Sequence, residues 1–268
     1  MGRNWRKLLW LIPLWQPVTD FWARTTAWPV LGRPLRHILT EDHYDVTFVP
    51  INEEVDAGGS TVLPRQVVEE VIRRSSHRVI LPMCLCRVGC RCDDYPMEIG
   101  CIFMGEGARD IHPSVGRAAS VEEALAHLDR AVSSGLIPQI GKVDPDPLML
   151  GCRDRRRFLT LCFCCTCCCI AMRNMPRWAP QVRERMHRLP GLRIEVGSEC
   201  NGCGLCVDAC FASAIEVRDG RAVVSEDCKG CGLCVDACRR GALRVVVEDG
   251  RHMLEAALRH ITRYSVID

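Results

Sequence analysis

The chain has 268 residues and a formal net charge of +2, with cationic and anionic side chains nearly balanced. This length allows two domains with modest cores, and the lack of a basic block argues against a nucleic-acid partner. The twenty cysteines far exceed the usual content of a chain of this size. They indicate either a disulfide framework or metal ligation, and their spacing decides between these two.

Residues 1–36 are rich in tryptophan: every tryptophan except Trp178 lies there. The apolar run Leu8–Trp15 is too short to span a bilayer and lacks the cleavage site of a signal peptide. Its 3.6-residue periodicity predicts a helix that Pro13 and Pro17 limit to about two or three turns. Residues 1–36 are therefore interpreted as a docking segment. This segment either lies on a membrane surface or packs on its own domain or on a partner subunit. We favour the packed interpretation.

Residues 44–83 are predicted to form compact α/β structure. Asp45–Ile51 and Arg78–Leu81 read as strands, and Pro64 is well placed at the start of a helix. The predicted buried face of that helix comprises Leu63, Val67, Val68, Val71 and Ile72.

Two dense groups of cysteines follow. The first comprises Cys84, Cys86, Cys90, Cys92 and Cys101, and the second occupies residues 162–169, which read C-F-C-C-T-C-C-C. Adjacent cysteines are poor disulfide partners, whereas a dense run can offer several thiolates to a metal or cluster. Neither group has the histidine spacing of a zinc finger. Single buried cysteines are often inert, but two tight groups favour ligation.

A helix is predicted between the two groups. Ser120 and Glu123 form a capping-box pattern, and Gly135 is a natural residue after the helix C-terminus. Its predicted buried stripe comprises Ala124, Leu125, Leu128, Ala131 and Val132. This helix would return the second cysteine group to the first, so that both share one site.

Residues 173–199 read as a linker with a short basic helix at Val182–Leu189, and His252–Tyr264 reads as an amphipathic helix. We expect the latter to pack on a sheet or on the upstream domain. The sequence has no glycine-rich nucleotide loop, so no nucleotide site is predicted. Arg87 and Arg155–Arg157 are interpreted either as charge compensation for thiolates or as solvated surface groups.

Two identical runs of C-x2-C-x2-C-x3-C lie between Cys200 and Cys238 and repeat every 28 residues. This spacing is typical of two [4Fe–4S] clusters, where the fourth cysteine of each run ligates the other cluster. One predicted set is Cys200, Cys203, Cys206 and Cys238, and the other is Cys228, Cys231, Cys234 and Cys210. Zinc is the alternative, but two identical runs in register favour clusters, which require reduced thiols and a cytoplasmic setting.

Local patterns around these runs predict a ferredoxin-like βαββαβ module. Gly202, Gly204, Gly230 and Gly232 permit loops with positive φ. A hairpin is expected around Asp219-Gly220, between residues 214–217 and 222–224, with a further strand at Leu243–Val247. Phe211 and Arg239 stand where proline usually follows the fourth cysteine of such a run.

The order of motifs resembles a family of iron–sulfur proteins of anaerobes described as 4Fe–4S dicluster-domain proteins. The shared order is C-x-C-R, G-C-I-F-M-G, G-R-x-x-S-x-E-E-A, C-x-C-C-x-C-C-C and the two four-cysteine runs. It covers about residues 78–247, and Cys90, Cys152 and Phe163 depart from it. The resemblance implies no particular reaction. The upstream cysteines that match are Cys84, Cys86, Cys92, Cys101, Cys162, Cys164, Cys165, Cys167, Cys168 and Cys169.

The predicted fold class is α+β, with a C-terminal 2[4Fe–4S] ferredoxin-like module joined to an N-terminal mixed α/β, cysteine-rich domain. The predicted divisions are the docking segment 1–36, a cysteine-rich iron–sulfur domain 37–172, a linker 173–193, the ferredoxin domain 194–250 and a C-terminal helix 251–268. We expect at least one further iron–sulfur cluster, ligated jointly by residues of 84–101 and 162–169.

The leading hypothesis is an electron-transfer protein that passes single electrons through [4Fe–4S] clusters as a subunit or partner of a larger anaerobic redox complex. The first alternative is an oxidoreductase in which the upstream site reduces a substrate and the ferredoxin module supplies electrons. The second is a redox-sensing or metal-handling protein. The expected partner is a redox protein, and contact with the inner face of the membrane through residues 1–36 is the other option.

Overall fold

The computed structural model describes residues 12–30, 32–39, 43–51, 55–56 and 63–264. The start of the predicted N-terminal helix, including Leu8 and Leu11, lies outside this range. Among the described residues, no helix combines the length and apolar character needed to cross a membrane.

The chain contains both helices and strands, in agreement with the predicted α+β class. The helices are α1 (Ile12–Thr26), α2 (Gly32–Ile38), α3 (Pro64–Arg74), α4 (Leu85–Cys90), α5 (Val121–Ser133), α6 (Pro145–Leu150), α7 (Ile170–Arg173), α8 (Pro180–Arg183), α9 (Leu205–Ala209), α10 (Leu233–Asp236) and α11 (Gly250–Tyr264). Short 3₁₀ turns occupy Glu106–Asp110 and Met175–Arg177.

Most strands belong to one seven-stranded sheet. Its members are β1 (Tyr44–Phe48), β3 (Arg78–Ile80), β4 (Ile102–Met104), β5 (Arg117–Ala118), β6 (Ile137–Val143), β7 (Leu159–Cys164) and β8 (Met186–Arg188). The spatial order is β5-β3-β4-β7-β6-β1-β8, and its pairs are antiparallel except for β1 with β8.

The two faces of this sheet carry different chemistry. Because side chains alternate along a strand, Phe163 points away from its neighbours Cys162 and Cys164. Phe163 contacts His127 of α5, with ring centroids 5.4 Å apart, and Asp45 on the same face contacts His260 of α11. Helices therefore cover the face of Phe163, and the opposite face carries the strand cysteines.

The remaining strands lie in the C-terminal part of the chain. They are β9 (Leu192–Val196), β10 (Ile215–Arg218), β11 (Arg221–Val224) and β12 (Leu243–Val247). The β10–β11 hairpin turns through Asp219 and Gly220, both at positive φ, as the sequence predicts. In the other small sheet, β12 pairs antiparallel with β9 and parallel with β2 (Val55–Asp56).

Several local predictions are confirmed by the helices. α3 begins at Pro64, the Ser120–Glu123 capping box opens α5, and Gly135 follows α5 with a φ of +73°. α11 matches the predicted amphipathic helix and packs on α3 and the main sheet. Leu63 is the exception, because it is the N-cap of α3 and is 45% exposed rather than buried.

Two predictions on helix extent are wrong. The region predicted as the helix Val182–Leu189 contains the end of α8 and the strand β8, because β8 satisfies the backbone groups of β1 at the sheet edge. α1 continues through Pro17 for 15 residues. The lost hydrogen bond is offset by packing of α1 on α4.

The two halves of the chain share one hydrophobic core. Met175, Val182 and Leu189, within the segment predicted as a linker, are fully buried in the same cluster of residues as Val46 and Val245. The rings of Phe48 in β1 and Phe211 after α9 lie 5.2 Å apart. The proposed domain boundaries remain a prediction.

Candidate functional site

The two four-cysteine runs line two neighbouring cavities. Cys200, Cys203, Cys206 and Cys238 line the first, which has a volume of about 240 Å³. Cys210, Cys228, Cys231 and Cys234 line a narrower second cavity. The structure thus brings together each predicted set of four, with the fourth cysteine of each run beside the other run.

The backbone of both runs turns toward the cysteine sulfurs. Gly202, Gly204, Gly230 and Gly232 all adopt positive φ. Backbone amides donate to the sulfurs in an internally repeated pattern: Ala214 N to Cys210 Sγ and Ala242 N to Cys238 Sγ, each at 3.3 Å. Such donors stabilise thiolates bound to a cluster.

Comparison with known proteins identifies this part of the chain. Residues 199–242 match the family model described as a 4Fe–4S dicluster domain. The stretch is a 4Fe–4S dicluster domain. Searches of curated proteins and of solved structures found no match to the chain.

The donor set of the dicluster domain fits [4Fe–4S] clusters, because each cavity presents four cysteine sulfurs without competing ligands from other residue types. Burial raises the pKa of Cys231 to about 12 and also raises that of Cys234. Thiolates there consequently depend on nearby metal charge. At the first cavity, backbone N–H groups lower the pKa of Cys200, and Cys203 is exposed to solvent.

The main sheet positions the upstream cysteines. Cys162 and Cys164 lie on β7, and Cys101 immediately precedes β4. Because Ile102 pairs with Leu161 in an antiparallel register, Cys101 comes opposite Cys162, and their sulfurs are 3.2 Å apart. The register of β4 and β7 therefore joins the first cysteine motif to the second.

A six-thiol group forms on this face of the sheet. It comprises Cys84, Cys86, Cys101, Cys162, Cys164 and Cys169. The sulfurs of Cys164 and Cys169 are 3.2 Å apart. The pKa of Cys86 is raised by its hydrogen bond to Cys84, by burial and by the charges of Cys84, Cys169 and Cys101. The three pairs Cys84–Cys86, Cys101–Cys162 and Cys164–Cys169 therefore lie near one another.

A separate four-thiol group comprises Cys92, Cys165, Cys167 and Cys168, whose sulfurs all lie within 4.8 Å of one another. Cys92 follows the C-cap of α4, Arg91, which adopts the left-handed conformation. Cys165 to Cys168 form the turn between β7 and α7. Cys152 belongs to neither group and is buried in a second apolar cluster.

Arg87 is the charged residue common to both upstream groups. It is fully buried and donates to the carbonyl oxygens of Pro96 and Phe163, both at 2.8 Å, and of Ile99. Its guanidinium also interacts with Cys84 and Cys165, one thiol from each group. The charge-compensation interpretation fits Arg87, whereas Arg155–Arg157 are exposed.

Helix α1 covers the two cysteine motifs. The Gln16 side chain donates to the carbonyl oxygen of Cys86 at 3.1 Å and to that of Cys168 at 3.4 Å. Asp20 pairs with Arg173 of α7, whose guanidinium also donates to Cys90 Sγ at 3.3 Å. The described part of the tryptophan-rich segment thus packs on its own chain.

Sequence reasoning missed that β7 runs into the second cysteine motif. The alternation of Leu161 and Phe163 with Cys162 and Cys164 was the available signal. It also missed Tyr44 and Gln139, which lie on the cysteine face of the sheet. Gln139 Oε1 accepts from Cys164 Sγ at 3.3 Å, and burial together with Cys169 raises the pKa of Tyr44.

Proposed function

We propose that this protein passes single electrons through three [4Fe–4S] clusters, two in the dicluster domain and one bound by four cysteines of the six-thiol group. Bound clusters of this type accept and release one electron at a time. The observation that carries the proposal is the gathering of six thiols from two distant motifs on the sheet face that also contacts the dicluster domain. For this reason we keep the prediction that cysteines of both upstream motifs ligate one further cluster.

The route between the two regions crosses the main sheet from β1 to β7. Tyr44, at one end of β1, interacts with Cys169, Cys164 and Cys162 of the six-thiol group. Phe48, at the other end and on the same face, contacts Phe211, the neighbour of Cys210. Phe48 is paired with Gln139 of β6, and Gln139 is paired with Cys162 of β7. Two strand spacings of about 4.8 Å therefore separate the backbones of Phe48 and Cys162.

The first cavity is the proposed exchange site with a redox partner. Cys203 is exposed there, whereas Cys228 and Cys234 of the second cavity are buried. Arg239 and Arg240 line the rim of the first cavity and are exposed. This rim favours an acidic surface on the partner, because complementary charge accelerates association.

A larger assembly is supported by the outer face of the N-terminal region. Phe21, Trp22 and Trp28 are each about half exposed, and the rings of Phe21 and Trp28 lie 6.5 Å apart. Exposed aromatic side chains in one group are typical of protein interfaces. We propose that a subunit of the redox complex covers them, and binding to lipid vesicles without any such subunit would contradict this part of the proposal.

Cluster content tests the proposal directly. We expect anaerobically purified protein to contain about twelve cluster irons and twelve acid-labile sulfides per chain, against about eight for the dicluster domain alone. The variant C101S should lose about four of each and one reduced-cluster EPR signal, while the matched variant C152S should keep all of them. About eight irons in the unmodified protein would overturn the third cluster and leave the dicluster domain as the electron carrier.

A further inference from the structure

The four-thiol group differs in shape from the cluster sites. All four sulfurs lie within 4.8 Å of one another. The sulfurs of Cys92 and Cys167 are 3.7 Å apart, and those of Cys167 and Cys168 are 3.5 Å apart. The group is therefore compact, and it draws on both cysteine motifs.

These separations match the coordination sphere of a single ion. Metal–sulfur bonds of about 2.3 Å in a regular tetrahedron place the sulfurs about 3.8 Å apart. A cubane binds each thiolate at a different iron corner, so its ligand sulfurs must lie further apart. We infer that Cys92, Cys165, Cys167 and Cys168 bind one divalent metal ion, zinc or iron, in tetrahedral thiolate coordination.

Polar groups of the chain lie beside two of the four sulfurs. The backbone N–H groups of Asp94 and Tyr95 interact with the Cys92 sulfur, and that of Cys168 interacts with the Cys165 sulfur. Arg87 interacts with Cys165 from the buried side. Four thiolates on one divalent ion leave a net charge of −2, which the guanidinium of Arg87 and these N–H groups stabilise.

The site is closed and therefore structural. Four protein ligands complete a tetrahedral sphere and leave no position for substrate or water. The ion would join the residue that follows α4 to the turn after β7, across 75 residues between Cys92 and Cys167. The inference is independent of the third cluster, because the two groups share no cysteine.

The unmodified protein provides the first test. After anaerobic purification and mild chelation, we expect one equivalent of metal per chain beyond the cluster iron. For zinc, X-ray absorption at the zinc edge should show four sulfur neighbours at about 2.3 Å and no nearby iron. For iron, Mössbauer spectra should contain a mononuclear tetrathiolate component. The lack of both signals would overturn the inference.

Variants separate a single ion from a cluster. Cys167 is exposed, so C167S should fold, and we expect it to lose one metal equivalent while acid-labile sulfide stays unchanged. The matched variant C152S should retain the ion. A fall of about four sulfides per chain in C167S would show that a cubane occupies the group and would overturn the inference.

Discussion

Arg87 is a single buried side chain that interacts with both upstream thiol groups. It is buried without a carboxylate among the partners described for its guanidinium, which are backbone carbonyls and thiols. A buried guanidinium must have its donors satisfied, and its planar fork reaches carbonyls in three directions. The charge is therefore fixed in place between the two upstream thiol groups.

Replacing Arg87 by lysine should test this geometry while keeping the charge. An ammonium cannot reach all three carbonyls, and each unsatisfied buried acceptor costs about 1–3 kcal/mol. We expect R87K to lower the free energy of unfolding by about 3 kcal/mol, measured by guanidinium denaturation under anaerobic conditions. The exposed control R155K should change it by less than about 0.5 kcal/mol, and equal effects of both would contradict the role of Arg87.

Two glycines of the first cysteine run allow another comparison. Gly202 and Gly204 both have positive φ, at +68° and +83°. A Cβ at residue 202 would lie 2.6 Å from the backbone oxygen of Gly220, whereas a Cβ at residue 204 would meet open space. G204A should cost about 1–2 kcal/mol of backbone strain.

We expect G202A to lose cluster iron from the first cavity in addition to this strain, because a backbone oxygen cannot move aside. Iron per chain and visible absorbance of the two variants provide the measurement. Full iron content in G202A would show that the close approach to Gly220 is unimportant.

Asp45 joins three elements. Its carboxylate on β1 contacts Nε2 of His187 on β8 at 3.1 Å and Nε2 of His260 on α11 at 2.6 Å. Burial opposes ionisation, but the hydrogen bonds from His187 and His260 outweigh it and hold the pKa of Asp45 below its usual value. The carboxylate therefore stabilises the docking of α11 on the sheet.

The variant D45N should lower the free energy of unfolding by about 2–3 kcal/mol at pH 7, because two hydrogen bonds to a buried charge are weakened. A lowered pKa means that this contribution is present above the unfolded pKa of about 3.9 and is lost as the pH falls below it. Denaturation of both proteins at pH 7 and below pH 4 measures the difference. E255Q, on the exposed Glu255–Arg259 pair of α11, is the control. A penalty that persists in acid would contradict the mechanism.

Helices, strands and turns could be predicted from the sequence wherever neighbouring residues determine the local structure. The Asp219-Gly220 turn, the Ser120–Glu123 box and the glycine loops depend on neighbouring residues, so the sequence contains the signal. β8 was not predictable, because its state is determined by the open edge of β1. The sorting of ten upstream thiols into two groups likewise depends on the β4–β7 register, which joins residues 61 positions apart at Cys101 and Cys162.

At the scale of the whole molecule, the shared core predicts joint unfolding. Phe211 and β12 tie the dicluster domain to β1 and β2. We expect one thermal transition in calorimetry, with cluster absorbance lost at the same temperature. F211A should lower stability by about 2 kcal/mol, and F21A, at an exposed phenylalanine, should leave it nearly unchanged. Two separate transitions would show that the halves fold independently.

The positive charges of Arg239 and Arg240 at the first cavity predict that the protein binds an acidic surface through this cavity. On an electrode coated with carboxylates, reversing Arg239 and Arg240 to glutamate should lower electron-transfer rates about tenfold at low ionic strength, with little effect at high salt. The control is the double variant in which the exposed Arg155 and Arg156 are replaced by glutamate. It changes the net charge by the same amount, but away from the cavity. Equal rates for the two double variants would contradict the proposed exchange site.

The hydrogen bonds of Gln16 have a consequence for how the protein is made. Gln16 is synthesised before its acceptor Cys168, which follows 152 residues later. At about 5–20 residues per second, translation would leave α1 without that partner for roughly 8 to 30 s. During this interval the cysteines of the first motif lack those of the second, and both upstream thiol groups draw on both motifs. Neither thiol group can therefore be completed before the second motif has left the ribosome.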